Sequence, residues 1–189
     1  QSRSSAASDV YKRQKLDKSN VVILGGTGPV GVASAVICAK AGANVTLVGR
    51  SLEKAEKIAG ICNDRYDSKN VKGGADADKS DFFNVADIVL NTGAAGIQLM
   101  SEEHIKNSNT LKICADTNAV PPSGIAGVDV MDNGKVIDMS PSKCLGIGAL
   151  AIGNIKYKSQ HECLKLMYTS EKPVYLDFED AFKFAQKSV

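Results

Sequence analysis

Four apolar, β-favouring residues run into a glycine cluster and then a helical pattern, in Val21-Val22-Ile23-Leu24-Gly25-Gly26-Thr27-Gly28-Pro29-Val30-Gly31. Few short stretches constrain a chain so tightly, because it must leave a buried strand, turn sharply and enter a helix within a few residues. Gly26, Gly28 and Gly31 fall on the G-x-G-x-x-G spacing, in the strand–turn–helix context that gives this spacing its meaning. Each glycine has an expected mechanical role. Gly26 allows the tight turn off the strand, Gly28 lets backbone approach a pyrophosphate, and Gly31 lets the helix pack closely on the sheet. The helix amino terminus offers N–H groups and a partial positive charge to phosphate. Pro29 suits the first turn, where no intrahelical N–H bond is lost. Gly26, Thr27, Gly28, Pro29, Val30 and Gly31 are therefore the expected phosphate cradle.

Strand and helix patterns continue to alternate beyond it. Val30 to Ala41 reads as a helix apolar nearly all round, stopped by Gly42. Val45 to Val48 reads as a second strand. Ser51 then caps a helix from Leu52 to about Tyr66, with Glu53 and Lys57 spaced for an i,i+4 pair. Further strands are expected at Val71–Ala75, Ala86–Asn91 and Leu111–Asp116, with a polar helix at Asp76–Asn84 and another helix at Ser101–Ser108. This order specifies an α/β fold, a Rossmann-like doubly wound parallel sheet. A carboxyl-terminal hairpin and helices should follow. Val128–Met131 and Lys135–Asp138 flank Asp132-Asn133-Gly134, a hairpin signature. Leu145 to about Tyr168 suggests one or two helices, and Asp177 caps a last one ending at Lys187.

The chain has 189 residues, with 23 Lys and Arg against 21 Asp and Glu. A balance so near neutral, with the signs interspersed, points to neither nucleic acid nor an anionic membrane as partner. No apolar run reaches membrane-span length and no signal-peptide pattern opens the sequence. Cys38, Cys62, Cys114, Cys144 and Cys163 are scattered and include no C-x-x-C pair, which argues for a reducing compartment and against a disulfide framework or zinc site. The cytoplasm is the expected location, and no metal is expected. The first 14 residues are polar, serine-rich and without apolar periodicity, so residues 1–17 read as a disordered tail or artefactual extension. Residues 18–189 read as the folded domain. A first strand arriving so early suggests that something upstream is missing.

The residue closing the second strand bears on the cofactor. An NAD site usually places a carboxylate about twenty residues beyond the glycine turn. Here the sequence reads Val48-Gly49-Arg50-Ser51, with no carboxylate until Glu53. Arg50 can fork onto a 2′-phosphate, Ser51 can donate to it, and Lys54 lies one turn on. The expected cofactor is thus NADP, with NAD tolerated. The small residues of Asn91-Thr92-Gly93-Ala94-Ala95-Gly96 leave room for pyrophosphate or nicotinamide ribose beyond the fourth strand, so Thr92, Gly93, Ala94 and Ala95 join the site. Asp116 and Asn118, after the fifth strand, are candidates to orient the carboxamide or close the cleft. No residue is assigned as catalytic. His104 and His161 read as surface residues on charged helices, Cys114 as a core thiol, and Lys156 and Lys158 as solvated. Hydride transfer does not require a protein acid or base, because the cofactor carries the chemistry.

Several stretches together resemble a known family. They are the glycine turn, Val48–Ser51 with Lys54, Asn91–Gly96, Asp116-Thr117-Asn118-Ala119-Val120-Pro121-Pro122 with Gly124-Ile125, and Leu145-Gly146-Ile147-Gly148-Ala149-Leu150. From about Asn20 onward they are similar to the carboxyl-terminal domain of the NAD(P)-dependent methylenetetrahydromethanopterin and methylenetetrahydrofolate dehydrogenases of methylotrophic bacteria. Ala151–Tyr157 looks closer to the tetrahydromethanopterin branch. The resemblance implies hydride transfer from the methylene carbon of a C1-carrying pterin to NADP or NAD, within formaldehyde oxidation and one-carbon metabolism. It also implies an amino-terminal substrate domain with no counterpart here, making the chain a cofactor-binding fragment, inactive alone, of a homo-oligomer. Two other readings stay open on the cofactor residues: a shikimate or quinate dehydrogenase-like reductase, and a non-catalytic NADP-binding module.

Overall fold

The computed structural model describes residues 16–187, so the tail expected over residues 1–14 lies outside the described residues. Strand β1 (Asn20–Leu24) is apolar from Val21 onward because both its faces are covered. Val21 and Ile23 enter one core with Ala35, Val36, Val45 and Leu47. Val22 and Leu24 enter the other with Phe83, Val89, Met100 and Ile105. Leu16 leans on the first of these cores.

The other strands are β2 (Asn44–Gly49), β3 (Val71–Ala75), β4 (Ile88–Asn91), β5 (Ile113–Asp116), β6 (Asn133–Val136) and β7 (Leu145–Ile147). They form one sheet in the order β3-β2-β1-β4-β5-β7-β6, parallel except for the β6–β7 pair. The chain winds outward from β1 to β3, then returns to the far side of β1 to lay down β4. Leu24 stands in register with Val48 on one side and Asn91 on the other. That reversal is the switch point at which such sheets open a ligand crevice beyond their carboxyl ends. The expected doubly wound sheet is therefore the observed one.

The helices are α1 (Pro29–Lys40), α2 (Leu52–Tyr66), α3 (Lys79–Phe83), α4 (Glu102–Asn107), α5 (Ala149–Thr169) and α6 (Phe178–Lys187). Ser51 caps α2 as expected, its Oγ accepting from the Lys54 N–H at 3.3 Å. Asp177 caps α6 by accepting from the Glu179 N–H at 2.8 Å and the Asp180 N–H at 3.3 Å. The polar helix expected over Asp76–Asn84 splits into a 3₁₀ turn (Asp76–Asp78) and α3. Glu53 and Lys57 do not close their expected ion pair.

The carboxyl-terminal region departs from expectation at two places. Val128–Met131 is not a strand. The Asp132 carboxylate accepts from the Asp129 N–H at 2.8 Å, and the Asp129 carboxylate accepts from the Met131 N–H at 2.9 Å. Such side-chain bonds to nearby backbone divert the chain into a turn. The hairpin forms one segment later, from β6 and β7, and closes over Ile137–Cys144. The apolar run from Leu145 also begins with a strand rather than a helix. Gly148 divides β7 from α5, which then runs unbroken through Gly153. Of the 21 residues of α5, only Ser159 is buried. Among the described residues, no helix is long and apolar enough to cross a membrane, and no cluster of His, Cys, Asp and Glu could hold a metal ion.

Candidate functional site

The glycine turn lies at the switch point, and its glycines divide the work differently from expectation. Gly25, not Gly26, makes the sharp turn, with φ of +63°, and a side chain on it would strike the Gly93 backbone of the loop after β4. Gly26 packs under the Leu47 side chain and donates its N–H to Val48 O at 3.0 Å. Gly31 packs against the backbone of Gly26 rather than the sheet, clamping α1 onto the turn. Gly28 differs from all of them, because a Cβ there would meet nothing nearer than Gly25 O at 4.0 Å. The space over Gly28 is open. Gly28 is also the N-cap of α1, without a side chain to cap it, and Pro29 follows as the first helical residue. The first-turn N–H groups of Val30 and Gly31 thus have no intrahelical acceptor and stand at the positive end of the helix dipole. Thr27 is half-buried, and Pro29 and Val30 are exposed.

Thr27 brings the cradle to the end of β2. Its methyl lies where a Cβ on Gly49 would come within 2.7 Å, so no side chain fits between the turn and the strand leading to Arg50. Arg50, Ser51 and Lys54 are all exposed. Among the described residues neither Arg50 nor Lys54 forms an ion pair. Ser51 Oγ uses an acceptor position for the helix cap, which leaves its O–H free to donate. Two unpaired cations and a hydroxyl thus stand beside an uncapped helix terminus, as a phosphorylated ribose requires. The residues present fit a dinucleotide with a 2′-phosphate.

On the other side of the switch point, Thr92 anchors its loop by donating both its N–H and its Oγ–H to Leu24 O, each at 2.9 Å. Gly93 is half-buried, and Ala94 and Ala95 are exposed. Asn91 is fully buried, accepts from the Gly93 N–H at 3.0 Å, and donates to Asp116 Oδ1 at 2.7 Å. Asp116 also accepts from the N–H groups of Asn118 at 2.9 Å and Ile125 at 3.0 Å. Asn118 accepts from Gly96 and Val120 N–H and donates to Pro122 O. Both side chains are buried and bonded to the protein, so their geometry closes and shapes the cleft rather than reaching into it. The Asn91–Asp116 pair escaped the sequence reading. Its signal was available, since each is the polar last residue of an apolar strand and the two are in register.

Neither histidine joins the crevice. His161 is exposed. His104, expected at the surface, is half-buried with its ring 5.1 Å from that of Phe83. Its Nδ1 accepts from the Ser101 N–H at 3.1 Å, completing a capping box at the start of α4. Burial, reinforced by Lys79, holds its pKa below the ordinary value. Cys114 is a fully buried core thiol, pushed up by its hydrogen bond to Cys144 and by burial. Lys156 and Lys158 are exposed on α5. A groove of about 580 Å³ between α5 and α6 is lined by Tyr157, Lys158, His161, Glu162, Phe184 and Lys187, none of them a residue of the crevice.

The sheet order and the switch-point glycine turn define a domain of the Rossmann-like α/β class. No family model matches the chain. It is 38% identical over 173 residues to the NAD(P)-dependent methylenetetrahydromethanopterin dehydrogenase of Methylorubrum extorquens, a match covering 90% of this chain and 58% of that protein. It is 37% identical over 169 residues to the bifunctional protein MdtA of the same organism, covering 88% of this chain and 57% of MdtA. The chain thus spans somewhat more than half the length of these curated relatives, and over that part it is related to them. Among solved structures, quinate dehydrogenase from Corynebacterium glutamicum in complex with NAD shares the fold, with a TM-score of 0.59 and 17% identity. That match covers 98% of this chain and 60% of the other.

Proposed function

We propose that this chain is the cofactor-binding part of a cytoplasmic methylenetetrahydromethanopterin dehydrogenase. In the reaction, the methylene carbon of the C1-carrying pterin gives up a hydride to NADP, or to NAD, and leaves as the methenyl form. The observation that carries this reading is sequence identity sustained over 90% of the chain, which takes in the cradle, the end of β2 and both crevice loops together.

The residues then have distinct tasks. The N–H groups at the start of α1 hold the pyrophosphate over Gly28. Arg50 forks onto the 2′-phosphate, with Ser51 donating and Lys54 adding charge. Thr92 to Ala95 border the nicotinamide ribose. When bound, the oxidised cofactor supplies the hydride acceptor, and the protein supplies position and electrostatics. The direct test is an assay of the full-length protein with methylenetetrahydromethanopterin and NADP+, following NADPH and methenyl product together. Equal formation of both is expected. Tight NADP+ binding with no methenyl product would contradict the dehydrogenase assignment, and NADP+ reduction by quinate or shikimate instead would replace it.

A further inference from the structure

The hydrogen-bonding atoms of Asn91, Asp116 and Asn118 are engaged by the protein, but the charge of Asp116 is not matched by another. Asp116 is 1% exposed. It is held by three neutral donors, from Asn91, Asn118 and Ile125. It takes part in none of the ion pairs formed among the described residues. Neutral donors solvate such a charge without cancelling it, and low-dielectric surroundings let its field extend further than water would.

The position of this charge gives it a use. In a doubly wound sheet the two mononucleotide halves of the cofactor lie on opposite sides of the switch point. The free cations of Arg50 and Lys54 mark the β2 side as the adenosine half, which leaves the β4–β5 side for nicotinamide. Asp116 ends β5, in register with Asn91. Asn91 in turn fixes the N–H of Gly93, in the loop that packs on Gly25.

We propose that Asp116 biases this site toward the oxidised cofactor, whose nicotinamide ring is cationic, over the reduced form, whose ring is neutral. The proposal rests on the reading that the crevice binds NADP. It deepens that reading, because reduced cofactor is then held less tightly once formed and departs more readily.

The test is the pair of dissociation constants of the 189-residue chain for NADP+ and NADPH, measured by calorimetry and by NADPH fluorescence. The unaltered chain should bind NADP+ more tightly. Asp116→Asn should shift the ratio of the two constants toward NADPH by roughly three- to tenfold, the effect of one charge acting across roughly 12 to 25 Å at an effective protein dielectric of about 20. The paired exchange Asn91→Asp with Asp116→Asn returns a carboxylate to the cluster and should restore most of the ratio. A mere loosening of the loops would weaken both forms by one factor, and that result would overturn the proposal. Should Asp116→Asn fail to fold, tighter binding of NADPH than NADP+ by both the unaltered chain and the paired exchange would overturn it equally. Failure of the unaltered chain to bind either form would instead refute the cofactor reading itself.

Discussion

The two sides of the switch point are held together by different means. On the β1–β2 side, backbone meets backbone, Gly31 on Gly26, with Ala35, Val36 and Ala39 of α1 buried beneath, and Gly25 carries the same kind of contact across to Gly93. On the β4–β5 side, loops are joined by three buried polar side chains, Asn91, Asp116 and Asn118. The first arrangement leaves almost no freedom, because a close-packed contact without side chains has nothing to rearrange. The second depends on directional bonds, each necessary to a neighbour that would otherwise be buried unsatisfied. Farther out, α5 buries only Ser159 and leaves Leu164 64% and Tyr168 92% exposed. The cradle is built for rigidity, the β4–β5 side for accurately placed loops, and α5 contributes little to the stability of either.

Substitutions can break this contrast. The largest effect is expected for Gly31→Val, whose branched side chain must enter the backbone of Gly26. It should cost about 3 kcal/mol or more in urea unfolding, because no flexible neighbour can yield. Asn118→Ala should cost about 2 kcal/mol through the groups it leaves unpaired. Hydrogen exchange should then quicken over residues 92–96 and 117–122 while the amides of β1 and β2 stay protected.

His104→Ala should cost about 1 kcal/mol by opening the capping box, and the histidine adds a pH signature. Its folded-state pKa lies below the ordinary 6.5, so the unfolded chain takes up the proton first. Its contribution is therefore complete above that value, and stability falls as the pH drops from 6.5 toward the folded-state value. His104→Gln keeps a capping side chain and should remove that slope from the urea midpoints. Leu164→Ser should give the smallest change, under about 0.5 kcal/mol, since an exposed side chain has little packing to lose.

The same contrast explains what the sequence made legible. On the β1–β3 side, local signals agree with tertiary structure. The stop at Gly42, the cap at Ser51 and the apolar strands predict α2 over Leu52–Tyr66 and β3 over Val71–Ala75 with their observed bounds. The cradle was legible as a place, although Gly25 rather than Gly26 carries the turn, because adjacent glycines are indistinguishable until the chain path is known. Beyond β5 the determining bonds are made by side chains to backbone. Asp129 and Asp132 turn a strand-like segment away from the sheet, and nothing in the hydrophobic period registers that. The apolar run from Leu145 serves a strand and then a helix, so only Gly148 marks the boundary. Asn91 and Asp116 lie 25 residues apart, and only strand pairing brings them into contact.

The proposed cofactor crevice would read a 2′-phosphate on its adenosine side through Arg50. The most direct measurement compares binding of NADP+ and NAD+ by the unaltered chain and by Arg50→Ala. The substitution should weaken NADP+ at least about tenfold more than NAD+, the scale of one lost charge-assisted contact. Equal losses for the two cofactors would contradict that reading.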